Sequence, residues 1–305
     1  MKAMIADGQR SVRLDEVAEP APRPHEAVIA VEAYSINRGE TFLLDRPRDG
    51  WRPGKDVAGT VLAPAADGTG PAAGTRVVGH PPMNGWAERV AVATTSLAVL
   101  PDEIATVTAA ALPLAGLTAL RLIRAAGALA GRRLLITGAS GGVGHYVTEL
   151  AVAAGADVTA VSATVERGAR LRELGATTVT EVAAAEGWFD VAMESVGADS
   201  LPAVRRKVRP RDGLLIWFGQ ASRQPVTLDF FDWVDGTVAA PIIAFDYTRS
   251  DRPDGEDLNT LVRLVAEGRL HPEIGMVLPW DHTREAIDDI RGRRLRGNVV
   301  MEVQA

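Results

Sequence analysis

A glycine-rich turn is the segment whose residue types most clearly predict chemistry. Residues 133–151, RLLITGASGGVGHYVTELA, place four glycines between a short apolar run and a helix-like one. A dinucleotide pyrophosphate binds at a helix N-terminus and needs a backbone that can approach it without a Cβ. The alternative is a turn that binds nothing, but the succession of strand, turn, helix and second strand favours the dinucleotide site. The predicted contacts are Ser140, Gly141, Gly142, Val143 and Gly144.

The segment after the second predicted strand favours NADPH over NADH. An NAD-specific unit carries an Asp or Glu about 20 residues beyond the glycines, where it binds the ribose 2′-hydroxyl. This chain has VTAVSATVERGAR there, with Ser162 and Thr164 in the acidic position's neighbourhood and Arg167 within the next helical turn. Hydroxyl groups and a guanidinium suit a 2′-phosphate. The alternative for Arg167 is a solvated helix residue paired with Glu166 or with the neighbours of Arg170.

Thiol and metal chemistry have little support in this sequence. The chain contains no cysteine, which excludes disulfides, thiolate nucleophiles and cysteine-ligated metals. Its five histidines show no metal-ligand spacing, and we predict no metal site. Ser140 and Ser195 lack the surroundings of a nucleophile elbow.

The elements that must position the glycine turn predict an α/β fold in two parts. Residues up to about Pro101 form short β-branched or alternating segments separated by Gly and Pro, which is typical of a mainly β domain. An alanine- and leucine-rich stretch to Ala126 is helical in composition, with a break or a second helix expected at Pro113 and Gly116. From Arg133 strands and helices alternate, which indicates βαβ units and a parallel sheet of about six strands.

The C-terminal residues predict a return to the first domain. Two amphipathic helices are expected in DLNTLVRLVAEGRL and REAIDDIRGRRL, with Leu261, Leu264 and Val265 on one face of the first. The last run, GNVVMEV, is a predicted strand with no obvious partner in the parallel sheet. We therefore expect the boundaries 1–115 for a catalytic domain, 116–245 for the dinucleotide-binding domain, and 246–305 for the return.

Composition limits the partners and the location. The chain has 305 residues, 47% of them hydrophobic and 24% charged, which is ordinary for folded two-domain proteins. A net charge of −6 makes nucleic acid an unexpected partner. The first residues become charged too soon for a signal peptide, and the longest apolar stretch is too short to cross a bilayer, so we expect no membrane partner and a cytoplasmic location.

Several segments together resemble the zinc-free quinone oxidoreductase branch of the medium-chain dehydrogenase/reductase superfamily. They run in order over nearly the whole chain, which makes the resemblance much more specific than the glycine turn alone. The segments are RPGKDVAGTV (52–61), GWAERV (85–90), LPLAGLTAL (112–120), GASGGVG (138–144), ESVG (194–197), GLLIWFGQAS (213–222) and RGNVVMEV (296–303).

The resemblance implies a Rossmann doubly wound parallel sheet inserted in a GroES-like, mainly β catalytic domain, with NADPH as cofactor. It places Thr118 by the cofactor phosphates or the nicotinamide ribose, and the segment from Gly219 to Ser222 with Phe245 on the nicotinamide side. The further expected cofactor contacts, in ESVG, GLLIWFGQAS and RGNVVMEV, are Val196, Gln220 and Asn298.

The resemblance also implies catalytic candidates. Asn37 matches the family asparagine that stands where zinc-containing relatives have their first cysteine ligand, and we expect its amide to donate to the substrate carbonyl. The alternative is a turn cap after the strand AVEAYSI. Lys55 stands where zinc-containing relatives have the histidine of a Gly-His-Glu element, so it either polarises a carbonyl or pairs with Asp56 or Glu40.

One departure from the family concerns the proton donor. A tyrosine that many quinone and enoyl reductases carry shortly after the asparagine is replaced here by Phe42 or is missing. Other possible proton sources are Tyr34, Glu40, His80 and Tyr247, whereas His145 is expected to be a packing or solvent-facing residue. Hydride transfer itself needs an acceptor carbon held close to the nicotinamide and donors for the charge that develops on oxygen.

These observations predict a zinc-independent, NADPH-dependent oxidoreductase that transfers hydride to a quinone or an α,β-unsaturated carbonyl compound. Two alternatives stay open: a reductase of enoyl thioesters or biosynthetic intermediates, and an NADPH-binding sensor without turnover. Fold alone does not separate them. We also expect a homodimer, because the apolar segment VAAPIIAF (238–245) would otherwise leave an exposed sheet edge.

Overall fold

The computed structural model describes residues 1–234 and 240–304. In chain order the strands are β1 (Lys2–Ala6), β2 (Val12–Glu16), β3 (Glu26–Ser35), β4 (Val57–Ala63), β5 (Arg76–Gly79), β6 (Arg89–Ala93), β7 (Leu97–Val99), β8 (Arg133–Ile136), β9 (Asp157–Val161), β10 (Thr177–Val179), β11 (Val191–Glu194), β12 (Leu214–Trp217), β13 (Ile242–Ala244), β14 (Ile274–Pro279) and β15 (Asn298–Glu302). The helices are α1 (Arg38–Leu43), α2 (Thr106–Ala110), α3 (Pro113–Ala126), α4 (Gly142–Ala153), α5 (Ala169–Glu173), α6 (Ser200–Arg205), α7 (Phe231–Val234), α8 (Asp254–Ala266) and α9 (Thr283–Arg291).

The chain folds into two units. The first comprises Met1–Leu117 together with Asp251–Ala305, and the second is Thr118–Ser250. The sequence places the corresponding boundaries at 115/116 and 245/246. Val238 and Ala239, the start of the apolar segment expected at a sheet edge, lie outside the described residues.

The first unit is built around a mixed sheet in which β3 is the central strand. β3 pairs antiparallel with β4, β6 and β15, and buried residues alternate along its first half, as expected of a strand with one face in the core. The core packs on the indole of Trp86, which stacks on the Tyr34 ring at 5.5 Å between ring centroids. β15 also pairs in parallel with β14, so the C-terminal segment completes the N-terminal sheet.

Helices α3 and α8 approach each other closely at Gly116 and Leu261. Pro113 begins α3, but Gly116 lies inside that helix instead of breaking it. A Cβ at Gly116 would lie 2.9 Å from a methyl carbon of Leu261 on α8, so the glycine permits close contact with the buried face of α8. Leu261 and Leu264 are buried on that face, which confirms the predicted amphipathic helix.

The second unit is a six-stranded parallel sheet in the order β10-β9-β8-β11-β12-β13. The chain starts at the centre with β8, proceeds outwards through β9 and β10, and then returns to β11 beside β8 before proceeding to the other edge. This reversal is the switch point of a doubly wound Rossmann sheet, where ligands bind beyond the carboxyl ends of the strands. The predicted parallel Rossmann sheet is therefore confirmed.

Candidate functional site

The glycine turn lies at the switch point, between the carboxyl end of β8 and the first residue of α4. Gly138 adopts φ 61°, and a Cβ there would lie 2.5 Å from the Ser195 hydroxyl oxygen. A Cβ at Gly144 would lie 2.3 Å from the Ala139 carbonyl oxygen. Both positions exclude side chains for steric reasons, as in dinucleotide-binding turns.

The N-terminus of α4 supplies the donors that such a turn needs. Gly141 is the N-cap, and Gly142, Val143 and Gly144 form the first turn. First-turn N–H groups have no intrahelical acceptor, and the helix dipole favours negative charge at this end. Ser140 lies in the turn just before them. The structure thus brings together the five residues predicted from the glycine pattern, and their arrangement fits a pyrophosphate.

A buried carboxylate that the sequence analysis did not identify organises the neighbouring loop. Glu194, the last residue of β11, is fully buried. Its Oε1 accepts hydrogen bonds from the Val196 N–H (2.9 Å), the Gly197 N–H (3.2 Å) and the Thr137 hydroxyl (3.2 Å). The motif ESVG contains the signal, an acidic residue directly followed by a loop at a strand end. Glu194 therefore fixes the backbone of Val196 beside the glycine turn.

The loop after β12 is hydrogen-bonded to the loop that Glu194 organises after β11. The N–H groups of Ala221 and Ser222 donate to the carbonyl oxygens of Ser195 and Val196, each at 2.8 Å. Gly219 is close to Ser195, since a Cβ there would lie 3.1 Å from the Ser195 Cβ. Val196, Gly219 and Gln220 are thereby gathered at the carboxyl ends of β11 and β12, beside the glycine turn that follows β8.

The segment predicted to select the cofactor phosphate is a turn, not the first turn of a helix. Ser162 is buried at the end of β9, and its hydroxyl donates to the Thr164 carbonyl at 3.2 Å. The exposed Thr164 hydroxyl accepts the Arg167 N–H at 3.2 Å. Arg167 is half-buried and precedes α5, which begins only at Ala169. Thr164 and Arg167 are therefore accessible from solvent, whereas the buried Ser162 hydroxyl stabilises the turn.

Two charged residues act on this turn besides Arg167. Arg172 donates through Nη1 to the Val165 carbonyl (3.2 Å) and to the Thr178 hydroxyl (2.9 Å), so it braces the turn from α5. Hydrogen bonding to its own backbone N–H and to Thr164 lowers the pKa of Glu166, which keeps this exposed carboxylate ionised. The turn therefore carries one negative charge as well as the cation of Arg167.

Three predicted cofactor residues lie apart from these loops in the chain. Thr118 is buried on α3. Phe245 follows β13, and its N–H donates to the Trp217 carbonyl at 2.9 Å. Asn298 begins β15 in the first unit, where its N–H and its side-chain amide both donate to the Glu273 carbonyl, at 2.7 Å and 3.1 Å. This pairing gives Asn298 a structural role in joining the 273–274 segment to β15.

The first unit contains a buried polar cluster around Asn37, which we call the Asn37 cluster and which comprises Ser35, Asn37, Glu40, Asp56 and His80. Asn37 is the N-cap of α1. Its side-chain Nδ2 donates to Asp56 Oδ2 at 2.6 Å and to Glu40 Oε2 at 3.2 Å. The structure thus shows Asn37 in the capping position with its amide hydrogens directed at two carboxylates of the protein, and donation to a substrate carbonyl stays a prediction.

The two carboxylates of the Asn37 cluster are almost completely buried. Asp56 also accepts from the Ser35 hydroxyl at 2.5 Å and from the Leu114 N–H at 2.9 Å. Glu40 accepts the Gly54 N–H at 2.8 Å. Burial, and then the charge of Asp56, raise the pKa of Glu40 from 4.5 to about 7, and the hydrogen bonds from Gly54 and Asn37 offset part of that rise. Glu40 can therefore exchange a proton near neutral pH.

Lys55 adjoins the Asn37 cluster and is contacted by its member His80. Lys55 is half-buried between Gly54 and Asp56. Its carbonyl oxygen accepts from His80 Nδ1 at 2.7 Å, and the same nitrogen lies 3.4 Å from Asp56 Oδ1. Because a carbonyl can only accept, His80 carries a hydrogen on Nδ1. The histidine therefore holds the segment that carries Lys55.

The structure assigns different places to the remaining proton-source candidates. Tyr34 is fully buried and bonded to the Thr283 hydroxyl at 2.6 Å, and burial raises the pKa of its phenol, so Tyr34 retains its proton. Tyr247 lies in a turn of the second unit, where its carbonyl accepts from Arg121 Nη1 at 2.7 Å. His145 is buried on α4 and donates from Nδ1 to the Gly141 carbonyl at 3.0 Å. Phe42 lies on α1.

Residues 1–234 and 240–304 contain no group of three or more His, Cys, Asp or Glu side chains that could hold a metal ion. None of the helices in these ranges is long and apolar enough to span a bilayer.

Comparison with known proteins gives matches along the whole chain. Residues 171–301 match a family described as zinc-binding dehydrogenase. A chloroplast envelope quinone oxidoreductase homolog from Arabidopsis thaliana is 37% identical over 316 residues, covering 94% of this chain and 92% of the relative.

Solved structures match the fold over nearly the full length. The Escherichia coli quinone oxidoreductase complexed with NADPH superposes with a TM-score of 0.88 at 21% identity, covering 99% of this chain and 98% of that chain. A 2-haloacrylate reductase superposes with a TM-score of 0.83 at 23% identity and covers both chains completely. At these identities the structural matches establish the fold.

Proposed function

Since the chain belongs to the zinc-free, quinone oxidoreductase-like branch of the medium-chain dehydrogenase/reductase family, we propose that it transfers hydride from NADPH to a quinone or an α,β-unsaturated carbonyl compound. The observation that carries the proposal is the glycine turn at the switch point, where Gly138 and Gly144 leave no room for a Cβ and α4 presents its N-terminus. The bound nicotinamide would supply the hydride.

The residues of the second unit would hold the dinucleotide. The N–H groups of Gly142, Val143 and Gly144 would bind the pyrophosphate. Thr164 and Arg167 would bind the ribose 2′-phosphate, because a phosphate dianion is better matched by a guanidinium and a hydroxyl than by the carboxylate of an NAD-specific site. NADPH-complexed relatives support this choice of cofactor.

The Asn37 cluster would act on the substrate oxygen. Reduction of a carbonyl or quinone places negative charge on that oxygen, and a nearby cation or donor lowers the barrier. The half-buried ammonium of Lys55 is the group we propose for this role. Asn37 would position it, because its 2.6 Å bond to Asp56 fixes the residue that follows Lys55 in the chain. Glu40 would serve as a proton reservoir, since its pKa is about 7.

An α,β-unsaturated acceptor is a specific candidate besides a quinone. The matched 2-haloacrylate reductase acts, by its name, on a carbon–carbon double bond conjugated to a carboxylate. Both classes accept hydride at carbon and develop charge on oxygen, so the same donors serve either reaction.

The test is NADPH oxidation with three panels of acceptors: quinones, enones and enoyl thioesters. Turnover with the first two panels supports the proposal. Turnover confined to enoyl thioesters would mean that the substrate is an enoyl thioester and not a quinone or an enone. Gly144→Val is the negative control, because its Cβ would clash with the Ala139 carbonyl oxygen 2.3 Å away and so distort the glycine turn that would bind the cofactor. NADPH binding by the unmodified protein without oxidation of any acceptor would overturn the enzymatic proposal in favour of a sensor.

A further inference from the structure

A cavity of about 770 Å³ lies in the first unit, and no residue of the Asn37 cluster lines it. The segment between β2 and β3, strand β6 and the turn at 82–84 contribute to its walls. Apolar side chains such as Val17, Pro20, Met83 and Val90 line much of it, together with the polar side chains of Arg52 and Asn84. Its volume is in the usual range of small-molecule sites.

Arg52 is held in this cavity by Asn84. The Arg52 Nε donates to Asn84 Oδ1 at 3.3 Å, and the Asn84 N–H donates to the Arg52 carbonyl at 3.1 Å. Asn84 adopts φ 74°, a left-handed conformation that few residue types other than glycine and asparagine accept readily. The pair therefore fixes the guanidinium through Nε and leaves its two terminal nitrogens for another acceptor.

The half-buried guanidinium of Arg52 lacks a carboxylate partner. Within residues 1–234 and 240–304 no carboxylate oxygen lies within 4.0 Å of it. Desolvation alone lowers the pKa of Arg52, with no neighbouring charge to offset it. A guanidinium partly withdrawn from water without an anionic partner is costly, so its position in the wall of a cavity points to a ligand that supplies the anion.

The acidic residues of the cavity have other partners. Glu19 forms ion pairs with Arg89 and with the N-terminal amine, the latter at 3.5 Å. Glu26 accepts the Arg23 N–H through Oε2 at 2.7 Å. The lining therefore carries three arginines, Arg23, Arg52 and Arg89, against the two glutamates, a balance that matches one further negative charge.

We propose that this cavity binds a small monocarboxylate with an apolar body, whose carboxylate is held by the terminal nitrogens of Arg52. The planar guanidinium matches a carboxylate with two parallel hydrogen bonds. Met83, Val90 and their apolar neighbours would cover the body of the ligand, and burial of that surface adds to the affinity. This site is separate from the proposed oxidoreductase function and does not depend on it.

The experiment measures binding of 4-phenylbutyrate to the full chain by calorimetry, with NADPH present at saturation to occupy the dinucleotide site. The uncharged 4-phenylbutanol is the ligand control. Arg52→Gln is the test variant, and Arg48→Gln is the matched control, because Arg48 is exposed on the same segment and outside the cavity lining. We expect binding by the wild type and by Arg48→Gln, and at least about tenfold weaker binding by Arg52→Gln and of the alcohol.

Two further readouts keep a structural role of Arg52 distinct from a binding role. The melting temperature of ligand-free Arg52→Gln is expected to stay close to that of the wild type, because the substitution removes no ion pair and only the 3.3 Å hydrogen bond to Asn84. The methyl NMR signal of Met83 is expected to shift on addition of 4-phenylbutyrate. Equal affinity of wild type and Arg52→Gln, absence of saturable binding to the wild type, or an unshifted Met83 signal would overturn the proposal.

Discussion

Replacement of Glu40 by Gln should flatten the pH dependence of stability. The folded chain holds the Glu40 proton up to about pH 7, whereas the unfolded chain releases it near 4.5. Between these values the folded state binds more protons than the unfolded state, so the free energy of unfolding falls as pH rises. The stabilisation that the folded state gains from its more tightly bound Glu40 proton is fully present below about pH 4.5 and is lost above about pH 7. The difference in pKa corresponds to about 3 kcal/mol over the whole window.

Glutamine is neutral at every pH and therefore removes this contribution. It also loses one acceptor for the Gly54 or Asn37 N–H groups, which lowers stability at every pH but leaves the slope unaffected. Between about pH 5 and about pH 8 we expect the wild type to lose about 2.5 kcal/mol more than Glu40→Gln. The difference between the two chains is the informative quantity, because all other titrating groups are common to both.

Urea denaturation followed by tryptophan fluorescence measures this difference. Glu103→Gln is the matched control, since Glu103 is exposed in the same unit and its substitution should leave the slope of the wild type unchanged. Equal losses of stability in wild type and Glu40→Gln between the two pH values would refute the reasoning. That result would mean that Glu40 is already ionised in the folded chain at about pH 5.

Three further predictions concern the cofactor, the substrate and the assembly. Arg167→Ala should raise the KM for NADPH roughly tenfold to hundredfold, because it removes a charge-assisted bond of about 1.5–3 kcal/mol, and should leave the KM for NADH nearly unchanged. Arg170→Ala is the charge-matched control. Equal losses for both cofactors would show that Arg167 has a structural role. Asn37→Ala should lower kcat, because it removes about 1–3 kcal/mol of transition-state stabilisation, while the Kd for NADPH stays the same. Unchanged kinetics would confine Asn37 to its capping role. Light scattering at micromolar concentration should give a homodimer, because Ile243 and Ala244 of the edge strand β13 are exposed; a strict monomer would contradict this.

The glycine turn and the parallel sheet could be predicted because their causes are local. Gly138 and Gly144 are needed where the backbone is crowded, and the alternation of strand and helix sets a parallel sheet before any long-range contact is known. The amphipathic face of α8 was predicted for the same reason, since the period of its leucines depends only on the helix itself.

The polar contacts that support the site could not be predicted, because they join residues distant in the sequence. Asn37 and Asp56 are 19 residues apart, and only the fold brings them within 2.6 Å. Glu194 lies only two and three residues before its partners Val196 and Gly197, yet its complete burial follows from the packing of the sheet. Gly116 was misjudged as a break, because the close approach of Leu261 that favours glycine there is a tertiary contact.

The helical placement of Arg167 was wrong for a local reason. The Ser162 and Thr164 hydroxyls bond within the loop, which favours a turn and delays α5 to Ala169. Polar side chains that satisfy nearby backbone groups compete with helix formation. The composition of VERGARLRELG predicts a helix correctly but not its first residue.

The central claim, that this chain is a zinc-independent oxidoreductase that uses NADPH, is tested most directly by one steady-state measurement. Protein dialysed against EDTA is supplied with a quinone acceptor, and the rate of oxidation is compared for NADPH and NADH. We predict full activity after EDTA treatment and a preference for NADPH of roughly tenfold to hundredfold in kcat/KM. Activity that disappears with EDTA and returns with zinc, or equal use of both cofactors, would contradict the account.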